Sequence, residues 1–239
     1  MSATELRAGM PDGPPVDLPA FLAPLAERAR RGTDVLAEPL VAVPEQWEPR
    51  RSAVLLLIVG TRLDNAQLVL EERSHRMRSQ PGQYALPGGR IEEEDPDDIA
   101  GALREAAEET GLRPADVAVL GAFAPIPMPW RSYSVRPVLA WAPHPPALDA
   151  IDPAEVASIT WAPLLGTGSL TDPRVRGLGV YGGHEVGICF DLPEDAFVWG
   201  FTAMIVDAVL EALAPQLLTA SRTELPRRAV PDSRGRPGL

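Results

Sequence analysis

Residues 86–112 read LPGGRIEEEDPDDIAGALREAAEETGL, and the rest of the chain is best read outward from them. The second half has a helical period, with Ala102, Leu103, Ala106 and Ala107 as its apolar positions. Asp95 is placed to cap this helix, with Pro96 first inside it, where a missing N–H costs nothing. Asp98, three residues after that cap, completes a capping-box pattern, and Asp97 suits the positive end of the helix dipole. Gly111, followed by Pro114, ends the helix. Glu105, Glu108 and Glu109 then stand at i, i+3 and i+4 on one face, with Arg104 beside them. Like charges at those separations repel by about 0.2–0.5 kcal/mol per pair on an isolated helix. A hard divalent cation such as Mg²⁺ or Mn²⁺ removes the penalty, because it prefers oxygen ligands. Upstream, Pro87-Gly88-Gly89 lets backbone approach the same face, where a carbonyl can add a ligand and a phosphate can draw near. A solvated acidic helix after a Gly-Gly turn has the same composition; the order of glycines, arginine and glutamates is what points to a metal site.

Around this segment the pattern is that of one mixed α/β domain. Ser52–Val59 is a continuous apolar run, as in a strand buried on both faces, and Asp64-Asn65 turns into a second strand, Gln67–Glu72. Arg73–Tyr84 is polar and loop-like. Further strands are expected at Val117–Phe123, Ser132–Trp141 and Val156–Trp161, then a hairpin turned by Gly182-Gly183. A closing helix is expected over Phe197–Leu213. Asp17 is placed to cap a short N-terminal helix that carries Leu18, Phe21, Leu22 and Leu25 toward a partner surface, which makes it the candidate homodimer contact. The organisation expected is an N-terminal extension over 1–40, a domain over 41–214 and an unfolded tail over 215–239.

Composition narrows the partners. A net charge of −11 argues against a nucleic-acid binder, which needs a basic face, but not against a phosphorylated small molecule held by a local arginine cluster. The single Cys189 excludes an internal disulfide and a multi-thiolate metal site, and fits a reducing compartment. The opening residues lack an apolar signal region, and the apolar run Ala53–Gly60 is far short of the ~20 residues a membrane helix needs. A cytoplasmic protein without membrane partners is expected.

The run Arg104-Glu105-Ala106-Ala107-Glu108-Glu109-Thr110-Gly111-Leu112 resembles, without a gap, the second half of the Nudix box, G-x5-E-x7-R-E-U-x-E-E-x-G-U with U apolar. Fourteen residues separate Gly89 from Arg104, where the general box has thirteen. Arg73, Ser74, Arg78, Gly82, Pro87, Gly88 and Gly89 are in register with the extra motif of the coenzyme A pyrophosphatase branch, L-L-T-x-R-[SA]-x3-R-x3-G-x3-F-P-G-G. That branch also has the longer loop, matched here by Gly88-Gly89, Glu92 and Asp95. Val69 and Glu71 depart from the motif's Leu and Thr, and Leu86 from its Phe. Trp199-Gly200-Phe201-Thr202-Ala203 resembles the branch's closing helix.

The resemblance implies a Nudix α/β/α sandwich around a central mixed β-sheet, and hydrolysis of a diphosphate by metal-assisted attack of water on phosphorus. It implies cleavage of coenzyme A or its derivatives to 3′,5′-ADP and (acyl-)4′-phosphopantetheine with Mg²⁺ or Mn²⁺. Glu105, Glu108 and Glu109 would be the metal ligands, and Arg104 would orient them. Arg73, Ser74, Arg78, Gly82, Gly88 and Gly89 would bind substrate, and Glu155 is a candidate fourth carboxylate. Two alternatives remain at this point: the same chemistry on another nucleotide such as ADP-ribose or NADH, and a non-catalytic Nudix-fold nucleotide sensor.

Overall fold

The computed structural model describes residues 17–38, 42, 47–218 and 220–231, apart from the side chain of Trp130. In chain order the elements are α1 (Ala23–Arg31), β1 (Arg50–Val59), β2 (Gln67–Arg73), β3 (Tyr84–Ala85), β4 (Gly88–Arg90) and α2 (Asp98–Thr110). There follow β5 (Ala118–Ala122), β6 (Ile126–Met128), β7 (Tyr133–Ala142), β8 (Val156–Pro163), β9 (Arg176–Tyr181) and β10 (His184–Asp191). The last are β11 (Phe197–Trp199), α3 (Gly200–Leu213) and β12 (Arg227–Ala229).

The apolar run that predicts a doubly buried strand is β1, and it organises the main sheet. It runs parallel to β7 along its length, from Arg50 opposite Tyr133 to Val59 opposite Ala142. Its C-terminal end pairs antiparallel with β2 and its N-terminal half with β4, so the sheet splays between β1 and β2. Side chains alternate across a strand, and here the alternation builds two cores. Leu56 and Ile58 face α1 and α3, packing with Leu22, Leu25, Val206 and Leu210. Ala53, Leu55, Leu57 and Val59 face α2, packing with Ile99, Ala102 and Ala106. The result is three layers with a mixed sheet in the middle: the expected α/β/α sandwich. A fully buried Leu or Ile contributes about 1.5–3 kcal/mol, and β1 carries four of them in a row, Leu55, Leu56, Leu57 and Ile58. No single helix among the described residues is long and apolar enough to cross a membrane.

Three expectations need correction. Asp17 does not cap α1; the helix begins after Leu22, and Leu22, Leu25, Ala26 and Ala29 are buried in the chain's own core. Leu18 and Phe21 are partly buried against the same cluster. The sheet face opposite α2 needs a cover, and α1 supplies it, so its apolar stripe is not a surface for a second copy. Gly121 of β5 makes the close approach possible: a Cβ there would lie 2.5 Å from the Ala29 carbonyl carbon.

Second, the closing helix starts later than Phe197. Residues Phe197–Trp199 pair with β10, and Gly200 turns strand into helix with φ +65, a left-handed conformation that suits glycine. Third, the tail is not wholly without structure, because β12 lies parallel to β9 with Arg227 opposite Leu178. The expected loose start over residues 1–16 lies outside the described residues, as does most of the linker before β1.

Candidate active site

The helix over the splayed sheet begins two residues later than its sequence suggests. Asp97, not Asp95, is the N-cap, its side chain accepting a hydrogen bond from the Ala100 amide at 2.8 Å. Asp95 is drawn away by Arg104, whose Nε and Nη2 donate to its two oxygens at 3.0 and 2.9 Å. This charge-assisted fork is stronger than a cap bond to a neutral amide, and the Arg104 hydrogen bonds hold the Asp95 carboxyl below the usual range. Asp98 is not part of a capping box either. It is buried between Arg51 and Arg136, at 2.6 and 2.7 Å, and so ties α2 to the start of β1 and to β7.

Arg104 does what a positioning residue requires. Besides Asp95 it reaches Glu105 at 3.2 Å, Glu108 at 3.0 Å and the Arg90 carbonyl at 3.0 Å. The glutamates expected to act together divide into two settings. Glu105 is half-buried and Glu109 buried, both turned to the glycine strand β4, whereas Glu108 stays in solvent against Arg104. The Gly88 amide donates to Glu109 Oε2 at 2.8 Å. A Cβ on Gly89 would sit 2.6 Å from the Glu105 carboxyl carbon, so only glycine leaves the acid its place. Gly88 has φ +149, and a Cβ there would lie 2.3 Å from the Ala53 carbonyl oxygen.

Sequence reading missed Glu71. It counts as a departure from the branch motif, yet its side chain is 1% exposed and hydrogen-bonded to Glu109. Its Oε2 is buried without a hydrogen-bond partner. The signal was available: an acid continuing the apolar strand Leu68-Val69-Leu70 must be buried or end the strand. Burial pushes the carboxyls of Glu71, Glu105 and Glu109 upward; the Glu71 charge adds to this at Glu109, while nearby Arg73 works against it at Glu71. These acids are short of cationic charge.

The substrate residues expected from the loop before β3 take distinct places. Arg73 closes the loop on itself, its amide donating to the Gln83 carbonyl and its carbonyl accepting from Gly82, each at 2.9 Å. Gly82 has φ +66 and packs under the His75 ring. Ser74 is buried; its amide donates to the Glu155 carbonyl at 2.7 Å and its hydroxyl to the Pro153 carbonyl at 2.9 Å. That loop is also held from the other side, where the Ile151 amide donates to the Glu109 carbonyl at 3.1 Å. Glu155 is exposed, and its charge raises the carboxyls of Glu71 and Glu105, so it stands near the cluster. Arg78 is exposed. Trp141 is a core residue, its indole donating to the Gly60 carbonyl at 2.8 Å.

Among the described residues no three acidic, His or Cys side chains converge into a closed metal site. The donor set nonetheless fits a hard cation: the acids are oxygen donors with raised pKa, and one buried oxygen has no partner. Glutamates gathered at a glycine strand beside an arginine are the arrangement that the Nudix-box resemblance implies for a hydrolase domain acting on diphosphates. Residues 49–172 match the NUDIX domain, and the chain belongs to this family. It is similar to the Uncharacterized Nudix hydrolase NudL of Citrobacter koseri, 36% identical over 163 residues, covering 68% of this chain and 82% of that one. It is 29% identical over 176 residues to the Probable nudix hydrolase C6G9.05 of Schizosaccharomyces pombe, covering 73% of this chain and 60% of that one. Among solved structures, the Nudix hydrolase RenU of M. Smegmatis shares 21% identity, covering 52% of this chain and 76% of that one, with a TM-score of 0.40.

Proposed function

We propose that this Nudix hydrolase cleaves coenzyme A or its derivatives into 3′,5′-ADP and (acyl-)4′-phosphopantetheine. The observation that carries the reading is the position of Arg73. The loop whose residues are in register with the coenzyme A branch closes through Arg73 backbone bonds, and its guanidinium charge acts on both Glu71 and Glu109. A cation of the kind that binds phosphate within electrostatic reach of the carboxylates supports this reading.

Glu105 and Glu109 would hold Mg²⁺ or Mn²⁺, with Glu71 behind them and Glu108 at the solvent side. A divalent cation there supplies positive charge against the diphosphate and activates water. The chain's own residues do the rest. Arg104 fixes Glu105 and Glu108 from one side, and Gly88 fixes Glu109 from the other. Arg73 binds a diphosphate oxygen and offsets charge that builds as water attacks phosphorus. Glu155, whose backbone carbonyl accepts from the Ser74 amide, is the candidate acceptor, through its side chain, for the water's proton. The bond between phosphorus and the bridging oxygen breaks, and the bridging oxygen leaves on the second phosphate.

The test is hydrolysis of coenzyme A beside dephospho-coenzyme A, ADP-ribose and NADH, with Mg²⁺ and Mn²⁺ in turn. Selective cleavage of coenzyme A, lost in Glu109→Gln, is expected. Cleavage of ADP-ribose or NADH instead would keep the diphosphate chemistry and reject the substrate. Tight nucleotide binding without turnover of any of the four would make the chain a sensor.

A further inference from the structure

Arg131 has no role in any motif recognised above, yet it lies at the same end of the sheet as the carboxylates. The reason is topological. β6 and β7 are joined by a tight turn over Pro129–Ser132, and β7 begins beside the first residue of β1. β4, with Gly88 and Gly89, lies on the other flank of that same half of β1. β2 runs antiparallel to β1, so its last residue, Arg73, points to this end as well. The turn is held rigidly. Ser132 is in the left-handed region at φ 56, its amide donates to the Pro129 carbonyl at 3.1 Å, and its carbonyl accepts from the Arg50 amide at 2.8 Å. A non-glycine residue kept in that conformation is strained, which is common where a turn presents a functional group.

Arg131 is half-buried, and neither an ion pair nor a side-chain hydrogen bond is found for it among the described residues. The charge it feels most from another residue is that of Arg73, also a cation. Arg73 in turn buries its Nε without a partner. Other half-buried or buried arginines have an acid beside them: Arg104 has Asp95, Arg136 has Asp98, Arg176 has Asp207, and Arg30 and Arg228, each with one unpartnered nitrogen, have Glu27 and Asp191. Two partly desolvated guanidiniums at one end of the sheet, close enough for one charge to act on the other, repel, and an anion between them reverses the sign of the interaction. Arg73 acts on Glu71 and Glu109 and so is the inner half of the pair, whereas Arg131 stands on the turn before β7, across β1 from β2.

We propose that Arg131 and Arg73 form a two-arginine clamp for one phosphoryl group of the substrate, with Arg131 as its specificity-determining outer half. The clamp rests on the reading that the site handles a phosphorylated nucleotide, but it does not depend on that nucleotide being coenzyme A. Two phosphoryl groups have the required chemistry, the outer phosphate of the diphosphate and the 3′-phosphate of coenzyme A.

The experiment compares wild type, Arg131→Ala and Arg131→Lys as full chains. KM and kcat are measured for coenzyme A, dephospho-coenzyme A and ADP-ribose, and calorimetry gives the Kd of inorganic pyrophosphate with Mg²⁺. Loss of a charge-assisted contact predicts that KM and Kd rise about 10- to 100-fold in Arg131→Ala. Arg131→Lys should recover part of this, and melting temperatures should match wild type, since no protein contact is lost. An equal rise for coenzyme A and dephospho-coenzyme A assigns the clamp to the diphosphate. A rise confined to coenzyme A, with pyrophosphate unaffected, assigns it to the 3′-phosphate. If wild type turns over ADP-ribose alone, the coenzyme A reading fails, and the clamp is judged on KM for ADP-ribose. Values of KM and Kd within twofold of wild type for every probe would overturn the clamp. So would a fall in melting temperature that explains the loss.

Discussion

Adjacent glycines of β4 offer a separation of stability from chemistry, because alanine would meet different atoms at each. At Gly88 the new Cβ would lie 2.3 Å from the Ala53 carbonyl oxygen and 2.6 Å from the Val54 Cα, both backbone atoms of the central strand. The position also has φ +149, where an L side chain is strained. Backbone strain of about 1–3 kcal/mol and overpacking of about 1–3 kcal/mol together predict a loss of about 2–6 kcal/mol for Gly88→Ala. For a domain of this size that is a fall of roughly 5–20 °C in melting temperature. At Gly89 the three atoms nearest the Cβ would all belong to the Glu105 carboxylate, at 2.6–2.7 Å, the far end of a flexible side chain. Gly89→Ala should change stability by no more than about 0.5 kcal/mol. It should still displace Glu105 by about 1 Å, which can cost on the order of 100-fold in kcat. Calorimetric melting together with kcat on the best nucleotide substrate checks both. Equal destabilisation by the two substitutions, or full activity in Gly89→Ala, would refute the packing of β4 against α2 on which the site depends.

Asp98→Ala should cost about 3–5 kcal/mol in denaturant unfolding, because it leaves the buried Arg136 guanidinium uncompensated; adding Arg136→Met should restore much of it. Arg104→Lys keeps the charge but not the fork that spans both Asp95 oxygens, and a fall in kcat of about 10-fold with little change in melting temperature is expected. In EDTA, the folded carboxyls of Glu71 and Glu109 hold protons that the unfolded chain has already released. Their contribution is therefore complete at low pH and is lost as pH rises above the ordinary carboxylate range toward neutrality and beyond. Melting temperature should decline with pH over that window, Glu109→Gln should flatten the decline, and Mg²⁺ should reverse it; a rise with pH in EDTA would contradict the burial of these acids.

Local regularities let the chain be read as far as they reach. The period of 3.6 placed Glu105 and Glu109 on one helix face, and the apolar run Ser52–Val59 marked the central strand, because both patterns are written in neighbouring residues. Glycines in a strand next to an acidic helix also foretold close backbone approach, now visible as the Gly88 bond to Glu109. Competition between partners was not legible. Asp95 and Asp97 are equally good caps in sequence, and only the arrival of Arg104 nine residues later assigns Asp95 to the guanidinium and Asp97 to the helix. Nor does the chain order show that Glu71, on β2, meets Glu109 on α2, or that Arg131, in the turn before β7, comes within electrostatic reach of Arg73. Those meetings depend on strand register and on the splay between β1 and β2, which are set by burial of both faces of β1 across residues far apart in the chain. The sequence by itself therefore determined the family chemistry and the helix that bears it. Tertiary structure decided which charges surround that helix, because long-range electrostatics follows from packing and not from spacing along the chain.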